Sequence, residues 1–300
     1  MPTLVCMPEQ RLLLVHAHPD DETITCGALM AGYVARGTQV TLVTCTLGEE
    51  GEVLLEDKQH LAADAQDQLG AHRYEELAAA MAVLGVTDWR LLGEPHKYRD
   101  SGMAGTPAND RADCFWRADL LAEATDLVAV IREVRPQVAV TYDDFGGYGH
   151  PDHIQAHRVL TYAVALAAVP SFRPDLGAAW QVQKVYWTAM PKGMIRDGIK
   201  ALREAGEETG FAAMDPDNIP FGVADDLVTT AVANTDFLDA KMTALAQHAS
   251  QVQTDGGFFA LSNNLGSKAM GIEYFRIAQG EVAGPFDDTG HETDLFNGIG

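Results

Sequence analysis

Two histidines and three carboxylates are gathered in the segment HAHPDDE, residues 16–22, directly after the apolar run LLLV at residues 12–15. An apolar run followed by polar residues is typical of a buried strand that ends at the edge of a sheet. The adjacent carboxylates of Asp20, Asp21 and Glu22 repel one another, so the segment calls for a nearby cation. A divalent metal would supply that cation, because histidine and aspartate are ordinary zinc ligands.

A second segment of similar sequence lies far along the chain. The H-P-D-D motif at His18–Asp21 is matched by H-P-D-H at His150–His153, and each motif precedes a predicted helix. Proline and aspartate are favoured in the first turn of a helix, so both segments also make good helix starts. That interpretation explains the prolines and the aspartates, but it leaves the histidines of both segments unexplained.

The two segments together can provide a catalytic metal site, which needs three protein ligands and an open position. His18 and Asp21 stand three residues apart across a strand-to-helix turn, so both side chains can point into one site. His153 has the place in the second motif that Asp21 has in the first, which favours it over His150 as the third ligand. Asp20 is then free to act as a general base, and His150 would face the site as a cation or an acid.

This set of ligands does not decide the reaction. Two histidines and one carboxylate also form the facial triad of non-haem iron oxygenases, and such a site accepts Fe²⁺ as well as Zn²⁺. A metal-stabilised sugar-binding module without turnover is a further alternative. Two other histidines are interpreted differently: His16 as a hydrogen-bonded residue of the core, and His157 as a residue with ligand spacing but no other support.

Apolar periodicity and turn residues predict the elements that must hold these side chains in place. The predicted strands are Arg11–Val15, Gln39–Thr46, Trp89–Leu92, Gln137–Tyr142 and Val182–Ala189. The predicted helices are Asp21–Ala35, Gln59–Leu84, Leu120–Val134, Ile154–Ala168, Met194–Glu204 and Asp236–Ser250. Gly37 and Gly85 lie where the C-terminal caps of two of these helices belong.

The alternation of strands and helices indicates an α/β fold with a Rossmann-like, doubly wound, mostly parallel sheet. The 300 residues are predicted to form one domain, with a metal-binding core at 10–190 and an irregular C-terminal extension at 191–300 that walls the pocket. Residues 255–271 are predicted to form a loop rich in Gly, Ser and Asn. Ligands bind at the carboxyl ends of the strands in such sheets, so the two histidine motifs are expected to meet there.

Composition argues against several classes of partner. The formal net charge of −22 predicts that the chain binds neither nucleic acid nor an anionic membrane surface. The four cysteines are widely spaced, which favours free thiols in a cytoplasmic protein over a disulfide framework. A signal peptide and a membrane-spanning run are not expected, and the sequence indicates no obligate protein partner.

Four segments resemble a known family. HAHPDDE, TCTLGEEGEV (Thr44–Val53), YRDSGMAGT (Tyr98–Thr106) and VTYDDFGGYGHPDH (Val140–His153) are similar to the motifs of the LmbE/PIG-L family of zinc-dependent N-deacetylases. The resemblance covers most of residues 10–190 and weakens at 107–115, 169–180 and 204–218. It returns at 241–251 and at SNNL, residues 262–265.

The resemblance implies one Zn²⁺ per subunit, with Fe²⁺ as the alternative, and a set of residues around it. The implied metal ligands are His18, Asp21 and His153. The implied catalytic residues are Asp20 as the base that activates water, His150 as a cationic partner of the tetrahedral intermediate, Asp152 as the residue that holds His150, and Tyr148 as a donor to the developing oxyanion. Glycines in the loop that carries Tyr148 would let it close over a substrate.

The resemblance also implies a substrate and a pocket for it. The residues implied to line the sugar and inositol pocket are Glu52, Arg73, Asp100 and Met103. Without the resemblance, Arg73 would be a surface cation, Asp100 a turn former and Met103 a packing residue.

The implied reaction removes acetate from an N-acetylglucosaminyl inositol, a small amino-sugar inositol that would be the ligand of the pocket. Mycothiol S-conjugate amidases and bacillithiol-type deacetylases of the same family remain alternatives. The residues TIT after Glu22 offer small hydroxyl side chains, which favours an unsubstituted sugar over a bulky conjugate.

Overall fold

The computed structural model describes residues 9–204, 206, 208, 210–254 and 270–299, and within them one seven-stranded sheet. Its strands are β1 (Arg11–His16), β2 (Gln39–Thr44), β3 (Asp88–Leu91), β4 (Val138–Thr141), β5 (Lys184–Ala189), β6 (Thr230–Ala233) and β7 (Ile272–Gln279). The α-helices are α1 (Asp21–Ala35), α2 (Leu69–Leu84), α3 (Leu120–Val134), α4 (Pro151–Ala167), α5 (Lys192–Glu204) and α6 (Leu238–Leu245).

The strands follow the order β3-β2-β1-β4-β5-β7-β6. Strands β1 to β5 are parallel to one another, and β7 is antiparallel to both β5 and β6. The chain leaves β1 towards β2 and β3 on one side, and later adds β4 and β5 on the other side of β1. The direction of winding therefore changes between β1 and β4. The predicted α/β fold with a mostly parallel sheet is confirmed.

Both faces of the sheet are covered, which explains the continuous apolar run of β1. Leu13 and Val15 pack in a cluster with side chains of α3 and α4. Leu12 and Leu14 point to the opposite face, where they pack with side chains of α1, α2 and α6. Because successive side chains of a strand alternate between its two faces, a strand buried on both sides needs an apolar residue at every position.

Most predicted boundaries lie within three residues of the observed ones, and α1 and α3 have the predicted bounds. The predicted helix Gln59–Leu84 is wrong in its first part, because the α-helix begins only at Leu69. A short 3₁₀ helix and a turn come before it, and Asp67 adopts a left-handed φ of 54° that an α-helix cannot include. Leu61 packs with Val53 and Leu69, so the apolar residues that suggested a longer helix belong to a separate small cluster.

The C-terminal extension is more regular than the sequence pattern predicts. Strands β6 and β7 join the sheet beyond β5, while α6 ends at Leu245 instead of continuing to Ser250. The pattern of β7 is difficult to recognise because one of its buried side chains, Glu273, is charged. The predicted loop at 255–271 and the SNNL segment lie almost wholly outside the described residues.

Two buried ion pairs hold this extension in place against the rest of the domain. Lys241 of α6 lies 2.7 Å from Glu273 of β7, whose carboxylate also accepts backbone N–H groups of α1. Lys184 of β5 lies 2.6 Å from Glu292. A buried charge without a partner is strongly destabilising, so each pair fixes where its two segments can pack. None of the described helices is both long enough and apolar enough to cross a membrane.

A third buried carboxylate, Glu123, lies between α3 and α4 with a neutral partner. The side-chain amide of Gln155 donates to Glu123 Oε2 at 2.6 Å, and Oε1 has no hydrogen-bond partner among the described residues. Burial raises the pKa of Glu123 to about 8. At neutral pH this carboxyl group therefore holds a proton in the folded protein and loses it on unfolding.

Glu123→Gln should flatten the dependence of stability on pH. Because the folded pKa lies above the unfolded value, the folded state binds the extra proton between about pH 4.5 and 8, and Glu123 lowers the free energy of unfolding of the parent by about 1.4 kcal/mol per pH unit there. The glutamine variant keeps the acceptor for Gln155 and has no such loss. Urea unfolding of both proteins from pH 5 to 8 measures the difference. The prediction would be contradicted if the free energy of unfolding changed equally with pH in the two proteins.

Candidate metal centre and active site

The two histidine motifs meet at the carboxyl ends of β1 and β4. Strand β1 ends at His16 and leads through the first motif into α1, whereas β4 leads through the loop at 142–149 into α4. The two strands are hydrogen-bonded neighbours, with Leu14 paired to Val140. The crevice between them lies where the direction of winding changes, which is the usual ligand site of an open α/β sheet.

Two overlapping groups of side chains in this crevice could hold a metal ion. Within each group, one ligand atom per residue lies within 4.8 Å of the others. The first group contains His18, His150 and His153, and the second contains His18, Asp100 and Asp152. All five residues are buried. His18 is common to both groups and is the residue around which the site is arranged.

Asp21, the third predicted ligand, lies between the two predicted histidine ligands. Its Oδ2 atom is 3.3 Å from Nδ1 of His18 and 3.3 Å from Nε2 of His153. Ligand atoms about 2.0–2.1 Å from a tetrahedral zinc ion are separated by about 3.3–3.4 Å, so the two spacings from Asp21 suit zinc. Asp21 is nevertheless a member of neither of the two groups given above. The chemistry of the donor set and its spacing therefore fit a divalent metal.

The ring of His153 is oriented as a metal ligand requires. Its Nδ1 atom is 3.1 Å from the carbonyl oxygen of Gly146, and because a carbonyl can only accept, Nδ1 carries the proton. Nε2 then has a free lone pair, and it is buried without a hydrogen-bond partner among the described residues. A second hydrogen bond of this kind fixes the tautomer of ligating histidines. Tyr142 stacks on the ring at a centroid distance of 4.2 Å.

Carboxylates surround His18 on both sides of its ring. Besides the contact of Nδ1 with Asp21, Nε2 lies 3.2 Å from Asp152 Oδ2 and 3.5 Å from Asp100 Oδ1. Burial opposes a charge on this ring, but Asp100 and then Asp152 and Asp21 hold the pKa of His18 well above its usual range. The same negative surroundings favour any cation at this place.

Asp20 stands beside this group in a strained backbone conformation. Its φ is 122°, a value that non-glycine residues rarely adopt and that costs on the order of 1–3 kcal/mol. Its carbonyl oxygen accepts from the N–H groups of Thr23 and Ile24, and its own N–H donates to Glu22 Oε2 at 3.0 Å. Burial raises the pKa of the Asp20 carboxyl to about 6, against the attraction of Arg73.

Arg73 is a buried residue of the cavity wall, so the surface-cation alternative is wrong. Only 3% of it is exposed, and its guanidinium donates to the carbonyl oxygens of Gly48 and Pro19 and to Asp20 Oδ2 at 3.2 Å. These contacts connect the loop after β2 with the first histidine motif. In this arrangement Arg73 serves to hold Asp20, and much of its donor capacity is used within the protein.

The contacts of Asp152 differ from the prediction that it holds His150. Its carboxylate contacts His18 Nε2 and accepts from the N–H of Ser101 at 2.9 Å. Only its backbone N–H reaches His150, where it donates to Nδ1 at 3.1 Å. The reason is helical geometry, because side chains two residues apart at a helix start do not face each other.

The surroundings of His150 oppose the cationic form that the sequence-based expectation gave to this residue. Burial, followed by the proximity of His18 and His153, lowers the pKa of His150 to about 3. Since Nδ1 accepts the N–H of Asp152, the neutral ring carries its proton on Nε2. A neutral His150 would therefore donate from Nε2.

The loop between β4 and α4 brings Tyr148 to the site. Tyr148 is 49% exposed, and its ring lies edge-on to that of His153 with centroids 4.9 Å apart. Gly146, Gly147 and Gly149 all have positive φ, between 66° and 93°. A Cβ atom at Gly146 would lie only 2.6 Å from Cβ of His153, so this glycine is required by close approach as well as by its φ.

A cavity of about 670 Å³ opens above these side chains. All four residues predicted to line the pocket border it: Glu52, Arg73, Asp100 and Met103. Asp100 is buried, and its two oxygens accept from the N–H groups of Gly102 and Glu50, so the turn-former interpretation also applies. Residues of the C-terminal extension border the cavity as well, among them Met194, Phe221, Val223, Lys241, Gln251 and Tyr274.

Several residues of the site are not recognisable from the sequence pattern. Tyr142 was given no role in the site, although it lies in the motif VTYDDFGGYGHPDH, directly after β4 and shortly before the glycines of the loop. His248 contacts Glu22 from 226 positions away and could not be found from spacing. His16 is buried as predicted, but neither ring nitrogen has a hydrogen-bond partner among the described residues.

Known proteins resemble this chain in sequence and in fold. The model of the PIG-L family, described as GlcNAc-PI de-N-acetylase, matches residues 13–164. A 1D-myo-inositol 2-acetamido-2-deoxy-alpha-D-glucopyranoside deacetylase from Geodermatophilus obscurus is 59% identical over 97% of this chain and 99% of its own. A deacetylase of the same name from a Nocardioides species is also 59% identical, with the same coverage.

Solved structures share the fold at much lower sequence identity. The N,N'-diacetylchitobiose deacetylase from Pyrococcus horikoshii has a TM-score of 0.61 and an identity of 20%, over 91% of this chain and 85% of that chain. At this identity the likeness concerns the fold alone, because one fold serves many reactions.

Gly48→Ala should destabilise the protein more than Gly37→Ala. Both glycines have positive φ, so both variants carry the same kind of backbone strain. A Cβ atom at Gly48 would lie 1.9 Å from Nη1 of Arg73, whereas no atom of the described residues lies within 4 Å of one at Gly37. We expect Gly48→Ala to cost about 1–3 kcal/mol more, because Arg73 must leave its acceptors. Urea unfolding tests this, and equal losses in the two variants would contradict it.

Proposed function

Because the chain belongs to the PIG-L family of GlcNAc-PI de-N-acetylases, we propose that it hydrolyses the N-acetyl group of 1-D-myo-inosityl 2-acetamido-2-deoxy-α-D-glucopyranoside. The products are acetate and the free amine. The observation that carries this proposal is the carboxylate of Asp20 held beside a site of two histidines and Asp21. The substrate follows from relatives that are 59% identical over nearly the whole chain.

The proposed ligands of one Zn²⁺ per subunit are His18, Asp21 and His153. Asp21 is preferred to His150 as the third ligand because its Oδ2 atom lies at the same short distance from a nitrogen of each of the other two ligands. Fe²⁺ suits the same donors. When bound, the metal would polarise the acetyl carbonyl and lower the pKa of a water molecule to near 7.

Asp20 is the proposed general base. Its carboxylate takes a proton from the attacking water as the new C–O bond forms, and a proton passes to the nitrogen as the C–N bond breaks. The pKa of about 6 suits both transfers, because the group is largely ionised at pH 7 and is still basic enough to accept a proton. Arg73 keeps one carboxylate oxygen in a fixed direction.

His150 and Tyr148 are proposed to stabilise the charge that develops on the acetyl oxygen. His150 does so as a neutral donor through Nε2–H, since its Nδ1 accepts the backbone N–H of Asp152. Tyr148 can donate from the glycine-rich loop once a substrate is bound. The role proposed for Asp152 is to orient His18, which its carboxylate contacts at 3.2 Å.

The remaining lining residues are proposed to select the sugar inositol. Glu52 is exposed at the cavity wall, where a carboxylate can accept from hydroxyl groups, and Met103 offers an apolar surface to a sugar ring. Residues 10–190 would form the metal-binding core, and 191–300 would wall the pocket as an extension of the same domain. The described cysteines, Cys26, Cys45 and Cys114, are free and buried, which supports a cytoplasmic protein.

Asp20→Asn should lower turnover strongly while leaving the metal in place. The amide cannot accept the proton of water, so we expect kcat to fall by about 10²–10⁴-fold, the contribution of a general base. Acetate and amine release from GlcNAc-inositol by the zinc-loaded protein measures this, with metal content determined on the same samples. A variant as active as the parent would refute the assignment of Asp20.

The same assay, carried out without oxygen, tests the reaction class. A hydrolase should work equally well, whereas a requirement for oxygen and 2-oxoglutarate would identify an iron oxygenase. Comparing GlcNAc-inositol with a bimane conjugate of mycothiol then ranks the two substrate classes by kcat/KM. A higher value for the conjugate would replace the proposed substrate with the amidase alternative.

Asp21→Ala and His150→Ala should separate metal binding from turnover. Loss of a ligand should weaken zinc binding by at least the 10–100-fold that follows loss of an outer-shell partner, so Asp21→Ala should release zinc readily. His150→Ala should retain the affinity for zinc and lose turnover. Competition with a chromophoric chelator gives both affinities, and the opposite ranking would make His150 the third ligand.

A further inference from the structure

A buried histidine and a buried glutamate connect the C-terminal extension to the first histidine motif. His248 follows α6, and its Nε2 atom lies 3.2 Å from Oε1 of Glu22 in the first turn of α1. Neither side chain has any exposed surface. The roles proposed above for the metal ligands, the base and the oxyanion donors make no use of this pair.

The two carboxylate oxygens of Glu22 have different partners. Oε1 accepts from the hydroxyl of Thr23 at 2.6 Å and contacts His248, whereas Oε2 accepts the backbone N–H of Asp20 at 3.0 Å. A buried carboxylate is stable only where donors satisfy it, so the direction of Oε2 depends on the donors that hold Oε1. The position of the Asp20 peptide therefore depends on His248 through Glu22.

Asp20 needs such support because of its backbone conformation. With a φ of 122° it would relax to an ordinary conformation unless its surroundings prevented this. The neighbouring contacts hold it on three sides, with Glu22 on the N–H, the start of α1 on the carbonyl oxygen, and Arg73 on the carboxylate.

His248 itself is held firmly enough to serve as an anchor. Its carbonyl oxygen accepts from the N–H groups of Gln251 and Val252 at 2.9 and 2.8 Å. Two residues later, Ser250 donates its N–H and its hydroxyl to the carboxylate of Glu76 in α2, at 2.8 and 2.7 Å. The turn that carries His248 is thus hydrogen-bonded to α2, a helix that packs on one face of the sheet.

We infer that His248 is a positioning residue, which acts through Glu22 to keep the carboxylate of Asp20 in place for catalysis. The inference rests on the proposed role of Asp20 as the general base. It gives the C-terminal extension a role in addition to lining the cavity. His248 touches neither the substrate nor the reacting atoms in this scheme.

Two substitutions of His248 separate positioning from packing. His248→Gln retains a side-chain N–H that can donate to Glu22, and His248→Leu fills the space without a donor. Glu292→Gln is the control, because it weakens an equally buried pair of the extension, with Lys184, away from Asp20. The measurements are kcat, KM, zinc content and the thermal midpoint of the full-length protein with GlcNAc-inositol.

We expect His248→Leu to lower kcat by about 10–100-fold, the effect of losing an outer-shell hydrogen bond, with KM and zinc content unchanged. His248→Gln should recover most of that loss. Glu292→Gln should lower the thermal midpoint and leave kcat unaltered. In crystals of the metal-free His248→Leu protein, Asp20 should have left its positive φ.

A double-variant comparison shows whether the effect passes through Asp20. When Asp20→Asn is already present, His248→Leu should lower the residual kcat no further, because the base that it positions is absent. The inference is overturned if His248→Leu matches the parent, if the two substitutions lower kcat independently, or if Gln and Leu lose kcat equally. A parent that releases no acetate would instead refute the proposed function.

Discussion

Negative charge concentrated in a desolvated crevice is the constraint on which the rest of this structure depends. Asp21, Asp100 and Asp152 all approach the ring of His18, and Asp20 and Glu22 lie beside them on the same turn. Charges this close and this buried repel strongly unless cations or donors compensate them. Arg73, His248 and the backbone N–H groups of the motif provide part of that compensation, and the ligand atoms are spaced so that a divalent ion would provide the rest.

The C-terminal extension has more to do with this charge than its position in the chain suggests. Strand β7 brings Glu273 into the core, and Lys241 neutralises it next to α1. The Cβ position of Gly27 in α1 lies 2.9 Å from the side chain of Lys241, so the helix and the lysine fit closely. The helix that follows the first histidine motif is thus held along its length by residues that come more than two hundred positions later.

Much of the site could be predicted because it is built from local patterns. The two H-P-D motifs are recognisable within four residues each, and the rule for parallel sheets brings strand ends together without knowledge of any contact. What could not be predicted are contacts that depend on side-chain direction or long-range packing. Asp152 contacts His18, Arg73 is buried, and His248 contacts Glu22. Nothing in the local sequence of these residues indicates such arrangements.

The fold shows the same division between local and distant information. The apolar runs of β1 and β2 identify them as strands because both faces are covered. Strand β7 was not predicted because the charge of its buried Glu273 is neutralised by Lys241, a residue that is distant in the sequence. The apolar residues before α2 suggested a longer helix. Leu61 packs against Val53 in a separate cluster, and its spacing in the sequence is the same as that of an apolar residue on a helix face.

The glycine-rich loop has a consequence for how such an enzyme could change its substrate. Gly146 cannot accept a side chain without displacing His153, so a glycine is required here to keep the ring of His153 in place. Gly147, the next residue, lines the cavity, and no described atom lies within 4 Å of a Cβ atom placed there. A side chain at position 147 would therefore change which substrates fit and leave the centre beneath the loop in place, at the cost of the strain of a positive φ. Two adjacent glycines thus separate selectivity from catalysis.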